Sequence, residues 1–294
     1  MRLRVGIVTP VIHINPRFDP PGWESTGTVD DIIIVAKAAQ SAGYEWVAAS
    51  EHVGIPGEAT AARGPRYWDP ITALSFMAAN TTAIRLLSHV VVLSYHHPLE
   101  IVKRWGTLDV ASRGRVILGV GVGSLQQEFD TLGHQFEGRG ARGDDSIRAI
   151  RASWGVRVPA YKGTHFDFGD LIVDPSGMDR PLEIWVGGRT RRSLRRAIEL
   201  GDGWIPFKLK VDELRSMLAD PEIRELMARR ESPLDLIFPP EPPVDPLGAP
   251  DAVRTFIGSY VDAGATGFSM RFDHTSRDHF IEQMGAFQEL IATL

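Results

Sequence analysis

The sequence predicts an α/β fold of the (β/α)8 TIM-barrel class, a single domain with long loops at the C-terminal face. Three observations carry this. Eight short apolar runs alternate with eight helix-like segments along the 294 residues. No linker interrupts the alternation. The run at 115–122 is almost wholly apolar, as a parallel strand buried on both faces is. Parallel strands joined by helical crossovers close naturally at eight units. An open doubly wound sheet is the alternative, but no G-x-G-x-x-G turn follows the first strand, where a dinucleotide fold would carry it.

The first strand is 3–9. A helix starts at about Val29, where Thr28 and Asp31 resemble a capping box. Ile32, Val35, Ala36 and Ala39 form its apolar stripe, and Gly43 is its stop. The second strand is 44–50, and Asp69-Pro70 opens the next helix as cap and first-turn proline. The third strand covers 84–93, and the helix after Pro98 carries Ile101, Val102, Trp105 and Leu108. The fourth strand, 115–122, leads to a helix at about 139–154. Then come strand five at 182–187 with a helix from about Thr190, and strand six at 203–206 with one helix over about 212–230. Strand seven at 234–238 is followed by a helix from Pro250 to Gly264. Strand eight is 266–271, and the last helix carries Phe280, Met284, Phe287 and Ile291. The stretches 10–28, 53–68 and 124–138 leave strand C-termini, the face where barrel enzymes keep their sites. The segment 155–181 is too long for a plain turn and reads as an insertion with a hairpin at 161–168.

Composition narrows the function. The chain is 43% hydrophobic and 23% charged with a net charge of −5, which suits a soluble protein and not bulk nucleic-acid binding. No apolar run of ~18 residues predicts a membrane span, and the expected location is the cytoplasm. The absence of cysteine excludes disulfides, thiolate zinc sites, iron–sulfur clusters and cysteine nucleophiles. There is no G-x-S-x-G elbow, Walker A pattern or H-E-x-x-H.

Four places hold candidate chemistry. Gly187 and Gly188 end strand five directly before a helix, and with Arg189, Thr190 and Ser193 they make a phosphate cradle at a helix N-terminus. The alternative is a Gly-Gly turn before a solvated basic helix. Gly119, Gly121 and Gly123, followed by Ser124, strip side chains from one face of strand four, where a flat ring could lie. The alternative is a crowded interior that only glycine fits. Glu51 and His52 follow strand two, where a histidine can move a proton near neutral pH. Adjacent strand residues point to opposite faces, so only one of them faces the site. His89 lies inside strand three and needs a partner or a ligand. His96 and His97 are adjacent, and loop packing competes with metal binding there.

Read together, the segments from Val5 to Phe207 resemble the luciferase-like monooxygenase family, nearest its coenzyme F420-dependent branch. The resemblance rests on Glu45 to Val53, Asp69-Pro70, His97-Pro98, Thr107 to Asp109 and Gly114 to Gly123. Glu128-Phe129, Arg139-Gly140, Trp185 to Gly188 and Gly201 to Trp204 complete it. It implies a cofactor ring over the strand ends, its phosphate near strand five, and a non-proline cis peptide with a bulge near His89-Val90 supporting the ring beside Ser88. It further implies His52 as proton donor or acceptor, Glu51 beside it, and a homodimer. Two positions depart from the pattern. Ser124 stands where sugar-oxidising members carry glutamate, and His89 stands where a small residue is usual. The resulting expectation is hydride transfer between F420 and a small organic substrate, walled by Trp23, Tyr67 and Trp68. The alternatives are an FMN-dependent monooxygenase using oxygen, a non-catalytic flavin-binding protein, and a metal-dependent barrel hydrolase.

Overall fold

The computed structural model describes residues 3–14 and 22–292; the rest of the loop 10–28 lies outside the described residues. Its centre is a closed barrel of eight strands: β1 (Arg4–Val8), β2 (Trp46–Ala49), β3 (Arg85–Ser88), β4 (Val116–Gly121), β5 (Ile184–Gly187), β6 (Gly203–Ile205), β7 (Asp235–Phe238) and β8 (Gly267–Met270). Every neighbouring pair is parallel, and pairing of β8 with β1 and of β4 with β5 closes the ring. The helices around it are α1 (Val29–Ser41), α2 (Pro70–Asn80), α3 (Pro98–Ala111), α4 (Arg139–Ser153), α5 (Arg191–Leu200), α6 (Val211–Ala219), α7 (Pro221–Ala228), α8 (Pro250–Asp262) and α9 (Arg277–Ile291). None among the described residues is long and apolar enough to cross a membrane.

Local chemistry explains the helix starts. Thr28 and Asp31 form the reciprocal capping box of α1, and the Asp69 carboxylate accepts from Thr72 N–H at 2.8 Å at the start of α2. One expected helix, 212–230, is two. Pro221 has no N–H to continue α6, so it becomes the first residue of α7, capped by Asp220.

The expected third strand is also interrupted. It ends at Ser88, a cis peptide joins His89 to Val90, and pairing with β4 resumes at Val91–Val92, opposite Val120 and Gly121. In the insertion, Tyr161–Lys162 and Asp167–Phe168 pair as an antiparallel hairpin. Asp145 of α4 fastens it, accepting from Tyr161 hydroxyl at 2.6 Å and His165 N–H at 2.6 Å.

Inside the barrel, Trp46, Ala48, Leu87, Ile117, Trp185, Ile205 and Ile237 form a closed apolar plug. The two indoles meet edge to face at 4.9 Å. They fit because Gly6 and Gly203 carry no side chain: a Cβ would lie 2.2 Å from the Trp46 ring or 2.6 Å from Trp185. Below the plug, Arg4 and Arg85 are ringed by Glu45, Glu183 and Asp235. The plug closes the N-terminal end and leaves the C-terminal mouth as the open one.

Candidate active site

The mouth is organised by two carboxylates with different tasks. Beyond β2, Glu51 and His52 turn apart. Glu51 is buried, and both its oxygens are engaged: Oε2 accepts from Val92 N–H at 2.6 Å, and Oε1 pairs with His96 Nε2 at 2.8 Å. Burial alone would lower His96, but the Glu51 hydrogen bond and charge outweigh it and raise its pKa above the ordinary value. Glu51 thus ties the end of β2 to Val92 and His96, and the acid paired with His52 is a different one.

His52 finds its acid 76 residues away. Its Nδ1 pairs with Glu128 Oε2 at 2.8 Å, and Glu128 Oε1 accepts from Val53 N–H at 2.6 Å and Gly54 N–H at 3.2 Å. Burial pushes the Glu128 carboxyl up, but the hydrogen bonds from His52, Tyr95 and Gly54 and the His52 charge win, leaving it below its usual range. The Tyr95 phenol is raised, by burial and then by Glu128. The His52 ring meets Tyr67 edge to face at 4.6 Å, so its plane is fixed on two sides. Glu128 lies in a short helix, Gln126–Leu132, inside the loop 124–138. The sequence offered only its place beside Phe129 in the family pattern.

The glycine bed is not bare. The Val90 side chain fills the space above two of the glycines: a Cβ on Gly121 would lie 2.6 Å from Val90 Cγ2, and one on Gly187 would lie 2.9 Å from Val90 Cγ1. Gly123, at φ +81°, faces Phe129 and Val92. The crowded-interior reading thus holds for these positions, and half-buried Val90 is the surface they support. A one-residue bulge reverses which side chains face inward, and periodicity cannot show that. The Ser88 hydroxyl donates to the Gly119 carbonyl at 2.8 Å, and Ser124 accepts from Arg63 at 3.2 Å.

Across the mouth stand His89, His13 and Arg271. Among the described residues, His89 Nδ1 is buried without a hydrogen-bond partner, as is Thr9 Oγ1 just after β1. Burial, then the Arg271 charge, pushes His89 down to about 4 and His13 to about 3. Arg271 Nη2 lies 3.0 Å from His13 Nδ1. A guanidinium only donates, so that nitrogen carries no proton, and His13 Nε2–H donates to the Arg63 carbonyl at 2.8 Å. His13 stacks on Tyr67 at 4.2 Å. The segments His13–Ile14 and Arg66–Tyr67 pair antiparallel, which joins the two loops expected to wall the substrate. Trp23 donates to His274, and Trp68 packs on the core.

At β5, Gly188 adopts φ +104° before α5, and a Cβ there would lie 2.9 Å from Ser193 Cβ. Thr190 caps the helix, and the Ser193 hydroxyl donates back to the Thr190 carbonyl at 2.7 Å while accepting from Thr190 N–H. Ser193 is thus spent on shaping the turn. Arg191 is paired with Asp220 and Glu222. The exposed Arg189 lies over Phe207, and Arg192 lies against Gly140.

Residues 11–244 match the family described as luciferase-like monooxygenase. Over 200 residues the chain is 30% identical to a protein of Mycobacterium tuberculosis, covering 63% of this chain and 71% of that one. It is 29% identical over 203 residues to an F420-dependent glucose-6-phosphate dehydrogenase of Amycolatopsis mediterranei, covering 66% of this chain and 58% of that one. Among solved structures, monooxygenase RslO1 from Streptomyces bottropensis superposes with a TM-score of 0.79 over 99% of both chains at 20% identity.

Proposed function

The chain belongs to the luciferase-like monooxygenase family, and from that premise we propose that it is a coenzyme F420-dependent oxidoreductase moving a hydride between the deazaflavin and a small organic alcohol or carbonyl compound. The residues present fit such a cofactor. Val90 offers a half-buried apolar platform braced by Gly121 and Gly187. The N–H groups that open α5, with Arg189 and Arg192 exposed beside them, suit an anionic tail. When bound, the cofactor supplies or accepts a hydride.

The protein's own task is the proton. Oxidising a carbinol to a carbonyl releases one hydride from carbon and one proton from oxygen. His52 is oriented to take that proton at Nε2, because Glu128 holds Nδ1. In the reverse direction His52 returns it. This buttressed imidazole at the open end of the barrel is the observation that carries the reading.

Spectroscopic titration of purified wild type and His52→Ala with F420 and FMN tests it. Saturable F420 binding by both, with turnover reduced about 10²- to 10⁴-fold in the variant, is expected. Tight FMN binding with no F420 binding would replace it with the flavin monooxygenase reading. Undiminished turnover in the variant would remove His52 from the chemistry.

A further inference from the structure

We propose that Arg271 receives a carboxylate carried by the substrate, with His13 as its positioning residue. The proposal rests on the redox reading of the mouth given above. A guanidinium has five N–H donors. Among the described residues only Nη2 finds acceptors, His13 Nδ1 at 3.0 Å and the His13 carbonyl at 3.4 Å. Nε–H and both N–H groups of Nη1 have no described partner, and no described carboxylate pairs with this arginine. Glu24 feels its charge, yet both Glu24 oxygens are committed, Oε2 to Val11 N–H at 2.6 Å and Oε1 to His274 Nε2 at 3.0 Å.

A half-buried guanidinium loses hydration at Nε–H and the two Nη1 N–H groups without regaining it from the described residues. A carboxylate restores it through two parallel N–H···O bonds. The geometry of His13 aims the fork. Stacked on Tyr67 and anchored to the Arg63 carbonyl, His13 offers Nδ1 as a fixed acceptor for Nη2 and leaves Nε–H and Nη1 without a described partner.

Beside Arg271, His13 and His89 stay unprotonated near neutral pH and Tyr67 stays a phenol with its pKa pushed up to about 12 by burial. The nearby Glu24 carboxylate is already held by Val11 and His274, so a single negative charge suits the free edge of the arginine. A phosphate dianion would leave a charge unmatched.

The test titrates cofactor-loaded enzyme with acetate and benzoate against ethanol and benzyl alcohol, reading the cofactor absorbance. The same probes and phenyl phosphate are added to cofactor-free protein with melting temperature as readout. The carboxylates are expected to bind about tenfold or more tightly than the alcohols, and Arg271→Gln to remove that margin. Arg271→Lys, which keeps the charge without the fork, should fall between, and cofactor affinity should not move in either variant. Equal binding of benzoate and benzyl alcohol, phenyl phosphate binding tighter than benzoate, or unchanged benzoate affinity in Arg271→Gln would overturn the proposal. Failure of any cofactor to bind would sink the redox reading alone, because a benzoate-induced melting shift lost in Arg271→Gln would still report the carboxylate receptor.

Discussion

The two ends of the barrel are both rich in polar side chains and treat them in opposite ways. At the N-terminal end, Arg4 and Arg85 are enclosed by Glu45, Glu183 and Asp235, and Arg4 also lies 5.0 Å from the Trp185 ring. At the C-terminal end, His89 Nδ1 and Thr9 Oγ1 are buried without partners among the described residues, and Arg271 has a histidine where a carboxylate would satisfy it. A buried polar atom left unsatisfied costs roughly 1–3 kcal/mol. One end pairs its charged groups with one another, and the other leaves several polar atoms without a described partner.

Acid exposes the difference most strongly. His13 and His89 have folded-state pKa values of about 3 and about 4, below the ordinary 6.5, so the unfolded chain binds protons that the folded one refuses. Their contribution is whole above about pH 6.5 and is lost as pH falls toward 4. We expect a slope of about 1 kcal/mol per pH unit for each, discounted from the ideal ~1.4 because both rings are part-exposed. Denaturant titrations across that range should show the slope, and His89→Asn should shed its share. An unchanged slope in the variant would show that the mouth is as well compensated as the opposite end.

The smaller effect is at the paired end. Arg4→Met should lower stability by about 2–3 kcal/mol, less than the ~3–5 for breaking a fully buried ion pair because these groups are partly exposed. Turnover per folded molecule should not change. A denaturation midpoint equal to wild type would mean that the N-terminal network is ornamental.

Most of the scaffold was legible because its signals are local. Apolar runs, the Thr28 and Asp69 caps and the glycine stops each act within a few residues. The break at Pro221 carries the same local signal as Asp69-Pro70, an Asp-Pro pair, which the single helix expected over 212–230 passed over. The site was legible by location more than by role. His52 stands at the mouth as expected, whereas the acid that orients it is distant in sequence and sits on a seven-residue helix within a loop. The bulge at His89-Val90 moved Val90 over the glycines, and no pattern with a period of two could place it there. Arg271 follows β8 without any flanking motif, and it acquires meaning only beside His13, at the other end of the chain.

The oriented imidazole is tested most directly by turnover of Glu128→Gln in F420-loaded enzyme with a small hydroxy acid as substrate. Turnover lower by about 10- to 100-fold, as for loss of a group that orients a catalytic histidine, with the cofactor dissociation constant unchanged, is the predicted result. Wild-type turnover in the variant would contradict it.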